Sequence, residues 1–599
     1  MSPVDEAKSA LDTATAQPTH TVSVTVLMDG KDITKKPGGL SSLSIYNEVN
    51  RIPTAKLVIS DGEVDKGSFK KSGSADFVPG KKADVKLGYQ NKTESIFKGI
   101  VIRHSINAYP GKASVMELEC KDVTVCMTTV RQSRYYAKIK DSAVFKQLIE
   151  NYKDSDVKVG DLAETDFEHP ELVQYHCTDW DFLVLRAEAN GLVVVVDNGT
   201  VHVKKPAKAS KANHSVMWGE DIINFEAEMD TRTHYPDVTT ATWDHAGQKV
   251  VQEEGSGNSG GGAVGGLGGG LSGAAAAVAT VASAFGLDLG LEDDKHHFPD
   301  VLFKNRKPQL FHGGALAGKE LSTWAKAFKA RAELSQVRGR VRVRGKNFKT
   351  GQTLELKKTA SRFNGTHFMT GVVHQLFSGT WQTDIQFGLS VKTLGETAQH
   401  LMAPQAGGLY ASVHGLQIGT VTKLESDEEP GGGRVKVRIP WVGEQKDSNK
   451  DGVWARVAAV TAGKERGFVF RPEVDDEVIL GFINNDPNNA VILGSAFSSD
   501  RKAPVEASKD NFQKGVFAKS GMKFVFDDDQ KSIEMTTKEG YSVKVDEKGK
   551  QVEIRHKKQQ TFIRLTDSGI EFSSAGDITL KAAGKVKIKG KEVRLNDPG

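Results

Sequence analysis

The sequence predicts a mainly β protein. It expects β-barrel domains with a few helices, then a small closed barrel of OB type, then a C-terminal intertwined triple-stranded β-helix that requires a homotrimer. Three observations lead there. Gly is frequent, 61 of 599 residues against an average near 7%, and aromatics are few, a balance that suits turn-rich β structure. Short apolar segments crowd into Ala411–Phe497. Residues 515–599 repeat apolar i, i+2 pairs.

Along the chain, residues 1–20 read as a flexible arm. Thr21–Leu27, Ala55–Ser60, Ala83–Tyr89 and Ser95–Ile102 alternate apolar and polar residues between Asp29-Gly30, Asp61-Gly62 and Pro79-Gly80 turns, which marks a barrel or sandwich. Helical spacing appears at Asp141–Tyr152 and Asp179–Asn190. In the second, Thr178 stands at the cap, Asp181 at the capping-box position and Gly191 at the left-handed stop. Leu192–Val196, Asn198-Gly199 and Val201–Lys205 form a hairpin whose turn matches strand twist. Further strands follow at Asp237–Trp243, Val337–Arg344, Thr353–Lys357, His367–Gln375 and Thr383–Val391, with a helix at Leu321–Leu334. These elements make one region of residues 21–400, interrupted by a Gly/Ala-rich insertion at 255–290 that reads as a flexible linker, with a membrane-active or lumen-lining role as the alternative its small, uncharged composition allows.

Gly419–Leu424, Gly433–Ile439, Gly452–Ala459, Gly467–Phe470, Glu477–Phe482 and Val491–Gly494 give the strands of a small closed barrel over 405–500. Residues 501–514 are a polar linker. Beyond it the apolar pairs are Ile533/Met535, Val543/Val545, Val552/Ile554, Ile563/Leu565, Ile570/Phe572, Ile578/Leu580, Val586/Ile588 and Val593/Leu595. Each pair sits on one face of a very short strand. Two residues per strand give a single chain no interior. Several copies wound about one axis bury the pairs against each other and remove the exposed edges. The paired positions are therefore the candidate trimerisation core.

Composition narrows the function. The chain has 80 basic and 76 acidic residues, net +4, too even a balance for a global field drawing nucleic acid or anionic membrane. Three cysteines without a CxxC fit a reducing compartment. The N-terminus lacks the basic and apolar blocks of a signal peptide, and no 18-residue apolar run occurs. Synthesis in the cytoplasm is expected, with another machine carrying the protein out.

Three stretches resemble the VgrG family and the hub-and-spike proteins of contractile phage tails. They are Gln174–Gly199 (QYHCTDWDFLVLRAEANGLVVVVDNG), the run from Gly433–Trp441 (GRVKVRIPW) through Val453–Val457 and Gly467–Pro472 to Glu477–Gly494 with its Asn485-Asp486-Pro487-Asn488 phrase, and the paired tail. Asn50–Gly62 and Pro79–Tyr89 add to the match, in the family's domain order. The resemblance implies a phage-hub-like domain with two β-barrels, an OB-fold collar and a β-helical needle, with Asp179, Trp180, Asp181, Phe182, Arg434, Trp454 and Pro472 as structural signature residues. It implies the structural central spike of a contractile injection system, type VI or phage-tail-like, that punctures a target envelope to deliver effectors. The implied partners are sister copies, a hexameric inner tube and baseplate, effector cargo, a transiently touched target membrane, and a PAAR-type tip protein at Leu595, Asn596, Asp597, Pro598 and Gly599.

Two other functions were weighed. Enzymatic activity, such as a cell-wall hydrolase, finds no support in the motifs. The matches to GxGxxG and GxSxG fall in Gly-rich sequence at 255–261 without strand or helix context. Asp293, Asp294, His296 and His297 read as a solvated loop, and His176 with Cys177 as packing residues, so no catalytic, cofactor or metal set is expected. Nucleic-acid binding rests on Arg338, Arg340, Arg342, Arg344 and Lys346, which read as a solvated or lumen-facing strand. The barrel aromatics Trp441, Trp454, Phe468, Phe470 and Phe482 mostly alternate as core residues. No nucleic-acid partner is expected.

Overall fold

The computed structural model describes residues 21–595 apart from 35–38, 63–67, 109–113, 207–211, 234, 236, 245–246, 256–306, 315, 425–432, 443–451 and 558–559. The fold is mainly β, and the chain divides into two compact units, Met1–Ala403 and Pro404–Gly599. The arm at 1–20, nearly all of the 255–290 insertion, the Asp293–His297 cluster and Asn596–Gly599 lie outside the described residues.

The first unit is built on a 13-stranded sheet. Its N-terminal lobe runs through Leu40–Glu48, Thr54–Ser60, Val115–Lys121, Lys92–Asn107, Lys82–Tyr89 and Val22–Met28. Alternation selects the core face: in Thr54–Ser60 the residues Ala55, Leu57 and Ile59 are buried and Lys56 is exposed. Phe77, Phe97, Leu43, Ile45, Leu57, Met116 and Leu118 fill this lobe. Each such side chain contributes roughly 1.5–3 kcal/mol by leaving water. A second core of Val341, Met369, Val372, Ile385, Phe387 and Leu354 lies under Val337–Arg344, Gly365–Phe377, Thr380–Phe387 and Thr353–Lys357. The long strand Gly365–Phe377 joins the lobes by pairing Gly371–Phe377 with Ser42–Glu48. The two-barrel expectation thus takes the form of one continuous sheet folded over two apolar cores.

A helical subregion packs against this sheet. Helices Asp141–Glu150 and Asp179–Ala189 bury Phe145, Leu148, Trp180, Phe182 and Leu183 against Val194, Val201 and Val203. The second helix is capped as its residues dictate: the Thr178 hydroxyl accepts from the Asp181 amide at 3.0 Å and donates to the Asp181 carboxylate at 2.7 Å. Asn198 and Gly199 both take positive φ, 49° and 85°, as a two-residue turn between Val193–Asp197 and Thr200–Lys204 demands. A small sheet of Lys249–Glu254, Thr239–Asp244 and Gln309–His312 packs under helix Gly318–Ser335. Lys307 clasps it by pairing with Asp237 at 2.8 Å and Glu254 at 3.0 Å.

In the second unit, Gln417–Lys423, Val435–Arg438, Val453–Val457, Ala490–Ser495 and Glu477–Phe482 close into a barrel around Val421, Val437, Ala455, Val478, Leu480 and Ile492. Gly452 makes the turn into the third of these strands at φ +87°, where a Cβ would stand 2.0 Å from the Val437 carbonyl oxygen. The Asp486 carboxylate caps its own turn by accepting from the Asn488 amide and the Asn489 side chain, each at 2.8 Å. Beyond the barrel, Gln513–Phe517, Lys523–Asp527, Ser532–Thr536, Ser542–Asp546, Gln551–Arg555, Phe562–Thr566 and Gly569–Ser573 form an antiparallel meander of seven strands, each paired with the next.

Candidate assembly surface

The meander collects the paired apolar positions into two parallel rows on one face. Ile533, Val545, Val552, Leu565 and Ile570 stand directly opposite one another across successive strands. Met535, Val543, Ile554, Ile563 and Phe572 make the second row beside them. Among the described residues no second layer covers these rows. Ile554 keeps 49% of its surface in contact with solvent and Phe572 62%. Ile578, Leu580, Val586, Ile588, Val593 and Leu595 continue the pattern on chain that forms no strand, and all six are exposed. Contiguous apolar surface of this extent marks an interaction site.

The opposite face of the meander carries charge. Glu534, Lys544, Glu553, Arg564 and Glu571 face one another strand by strand with alternating sign. Arg564 reaches Glu553 at 2.8 Å and Glu571 at 3.2 Å, and Arg555 reaches Glu553 at 2.6 Å. The Arg555 hydrogen bond, reinforced by Arg564, holds the Glu553 carboxyl below its usual range.

In the first unit, the signature helix positions its residues for structure. Asp179 is fully buried and accepts from Arg134 at 2.7 Å, Gln174 at 2.8 Å and Tyr152 at 3.2 Å. Phe182 stacks on Tyr136 with centroids 6.2 Å apart. Trp180 and Asp181 line a cleft of about 980 Å³ together with Tyr46, Lys56, Lys121 and Lys392. Its floor is tied by Glu188, which accepts from Asn50 at 2.9 Å, Arg331 at 3.0 Å and the Leu394 amide at 2.7 Å. A second buried cluster joins Asp141 to Arg186 at 2.7 Å and His169 at 3.1 Å. Burial pushes the Asp141 carboxyl up, and the Arg186 guanidinium outweighs this and holds it below the usual range. Sequence reasoning missed both carboxylate clusters, because their partners lie far apart in the chain.

The His176–Cys177 pair is not brought together as a reactive couple. His176 is exposed at φ +43°, while the Cys177 thiol is buried, and that burial raises its pKa. Among the described residues no group of three or more His, Cys, Asp or Glu could hold a metal ion.

Two expectations are corrected. The basic strand is paired, not simply solvated: Arg340 and Arg342 both bind the buried Asp384, Arg342 at 2.6 Å, and Arg338 binds Glu228 at 2.7 Å. Neighbouring strands bring these carboxylates opposite the arginines. The barrel aromatics do not all face the core. Trp441, Phe468 and Phe470 are exposed, and only Phe482 packs against the interior. The predicted strand Gly467–Phe470 shrinks to the two-residue pairing of Arg466–Gly467 with Ala462–Gly463, which leaves Phe468–Phe470 off the barrel wall. Of the remaining signature residues, Trp454 lies under the Lys436 ammonium at 5.4 Å, Arg434 is exposed and Pro472 is half-buried.

Comparison with known proteins agrees with this architecture. Residues 417–497 match the type VI secretion system/phage-baseplate injector OB domain. The type VI secretion system spike protein VgrG3 of Vibrio cholerae serotype O1 is 36% identical over 94 residues, 15% of this chain and 9% of that protein. Spike protein VgrG1c of Pseudomonas aeruginosa is 31% identical over 88 residues, 15% of this chain and 12% of that one. The matches thus span about a tenth of these relatives' length. A chain of the Francisella PdpA–VgrG complex aligns over 92% of this chain and 83% of its own, at 10% identity and a TM-score of 0.40. Over its barrel the chain is thus similar to VgrG spike proteins. Over residues 18–287 and 296–378, more than half of its length, the chain belongs to the family of the Alg8 N-terminal domain.

Proposed function

We propose that the protein is the structural central spike of a contractile injection system, working as a homotrimer. The observation that carries this reading is the pair of apolar rows on the meander, exposed in one chain and continued by the unpaired tail. Three copies facing inward supply one another's missing layer, and the pairs of Ile578–Leu595 find strand partners in sister chains. The sheath's contraction then drives a narrow, edge-free rod through the target envelope. Its work is mechanical rather than catalytic. The first unit seats on the hexameric inner tube and baseplate, the barrel forms a collar, and the blunt end near Leu595 receives a PAAR-type tip protein. Effectors travel with the particle to the extracellular or target side. Support comes from the VgrG relatives and the injector OB match. No described helix is long and apolar enough to cross a membrane.

Sedimentation velocity on the full-length protein tests this. A species of three times the chain mass is expected, together with a tapered rod in negative-stain images. A stable monomer at micromolar concentration would overturn the proposal.

A further inference from the structure

Among the apolar groups that the barrel exposes, two stand at different places. The first is the hairpin between Val453–Val457 and Glu477–Phe482. Its strand pairing joins Ala462 to Gly467 and Gly463 to Arg466, and the Phe468 amide adds a bond to the Thr461 carbonyl at 3.0 Å; Phe468, Val469 and Phe470 are all exposed, Val469 at 78%. Consecutive residues of an extended segment point to opposite sides, so this segment is apolar on both faces. A strand lying on its own barrel would show a polar outer face; this one suits a position between two bodies. Just beyond it Glu473 pairs with Lys519 at 3.3 Å. Lys519 sits in the turn between the first two meander strands, next to Val516 and Met522, which border the apolar face. The hairpin therefore adjoins the surface assigned above to sister copies.

The second feature is a shallow socket on the barrel's outside. Leu416 and Leu493 are both exposed and flank Gly481. A Cβ there would stand 3.4 Å from Leu493 Cδ1 and 3.9 Å from Leu416 Cδ2, so the missing side chain leaves the recess between the two leucines open.

A ring with threefold symmetry needs contacts of this kind, in which one patch of each copy meets a different patch of the next. We propose that Phe468–Phe470 of one copy docks in the Leu416–Gly481–Leu493 socket of its neighbour, making the collar a second, head-to-tail trimer contact independent of the needle. This rests on the trimeric reading above.

The test places the photoreactive residue benzoylphenylalanine at position 469 of the full-length chain. After irradiation, covalent dimers and trimers are expected on denaturing gels, with mass spectrometry joining the 468–471 segment to peptides that contain Leu416 or Leu493. Leu493→Asp should abolish that adduct while the needle keeps the sedimentation coefficient unchanged. Adducts confined to one chain, or mapped elsewhere, in a protein that sediments as a trimer would overturn this contact alone. Sedimentation as a monomer before irradiation would defeat the trimer reading, and this inference with it.

Discussion

The N-terminal unit and the C-terminal meander use the same two-residue alternation to opposite ends. In Thr54–Ser60, Leu57 and Ile59 meet other strands and the lobe's aromatics, and water is excluded from them. In Gln551–Arg555 and Phe562–Thr566, Ile554 and Ile563 stand in equally good register, yet they stay 49% and 37% exposed. Alternation chooses which face of a sheet is apolar. It does not say whose atoms will cover that face. The first unit carries its own second layer, whereas the meander has room for two apolar residues per strand, and in the trimer proposed above the layer comes from other copies.

Substitutions can pull these two regions apart. The largest effect is expected from Ile554→Asp with Ile563→Asp, because each uncompensated carboxylate buried in an assembly costs about 3–5 kcal/mol. Sedimentation should then show monomers, with the melting of the first unit unchanged; persistence of the trimer would mean that the apolar rows are not the contact. Phe145→Ala should do the reverse. It removes a fully buried ring, lowers the stability of the first unit by about 3–5 kcal/mol in chemical denaturation, and leaves the oligomer intact.

Acid offers a third separation. His374 is enclosed beside Thr383 and Trp381, and burial pushes its imidazole pKa down to about 4 from the ordinary 6.5. The unfolded chain takes up this proton first, so the group's contribution is complete above pH 6.5 and is lost as pH falls through that value toward 4. The total is about 3 kcal/mol. Denaturation midpoints of the first unit should drop across this window, and His374→Gln should flatten the drop. The smallest effect belongs to the helix cap: Thr178→Ala should cost about 1 kcal/mol, with Thr178→Ser recovering most of it in the same denaturation assay.

Much of this architecture could be read from sequence wherever one residue's neighbours decide its place. Val337–Arg344 and Thr353–Lys357 form strands at the bounds their alternation predicts, and the cap at Thr178 follows from three residues. The paired tail was legible because its spacing repeats. What escaped depends on partners distant in the chain. Strand Glu168–Thr178 contains Pro170 and a bulge between Gln174 and Cys177, which breaks its pattern into something like a loop. Phe468 and Phe470 alternate as core residues do, but the hairpin that carries them leaves the barrel, so the same spacing faces solvent. The arginines of 337–344 looked unopposed until Asp384 and Glu228 came alongside.

The alternating charges from Glu534 to Glu571 bear on how the proposed rod would assemble without error. Apolar pairs resist a slip of two residues only by half, since Val545 then still meets Ile554 while Val543 meets His556. Such a slip would set Glu534 against Asp546, or Lys544 against Arg555, like beside like. Each hairpin can thereby find its proper alignment before sister chains arrive, and a newly made chain need not learn its shape from the complex it joins. Glu553 is buried between Arg555 and Arg564 while Glu571 stays exposed. Strong salt therefore loosens chiefly the Arg564–Glu571 end of this proofreading, and protein matured in brine should show more misalignment there than protein matured in dilute buffer.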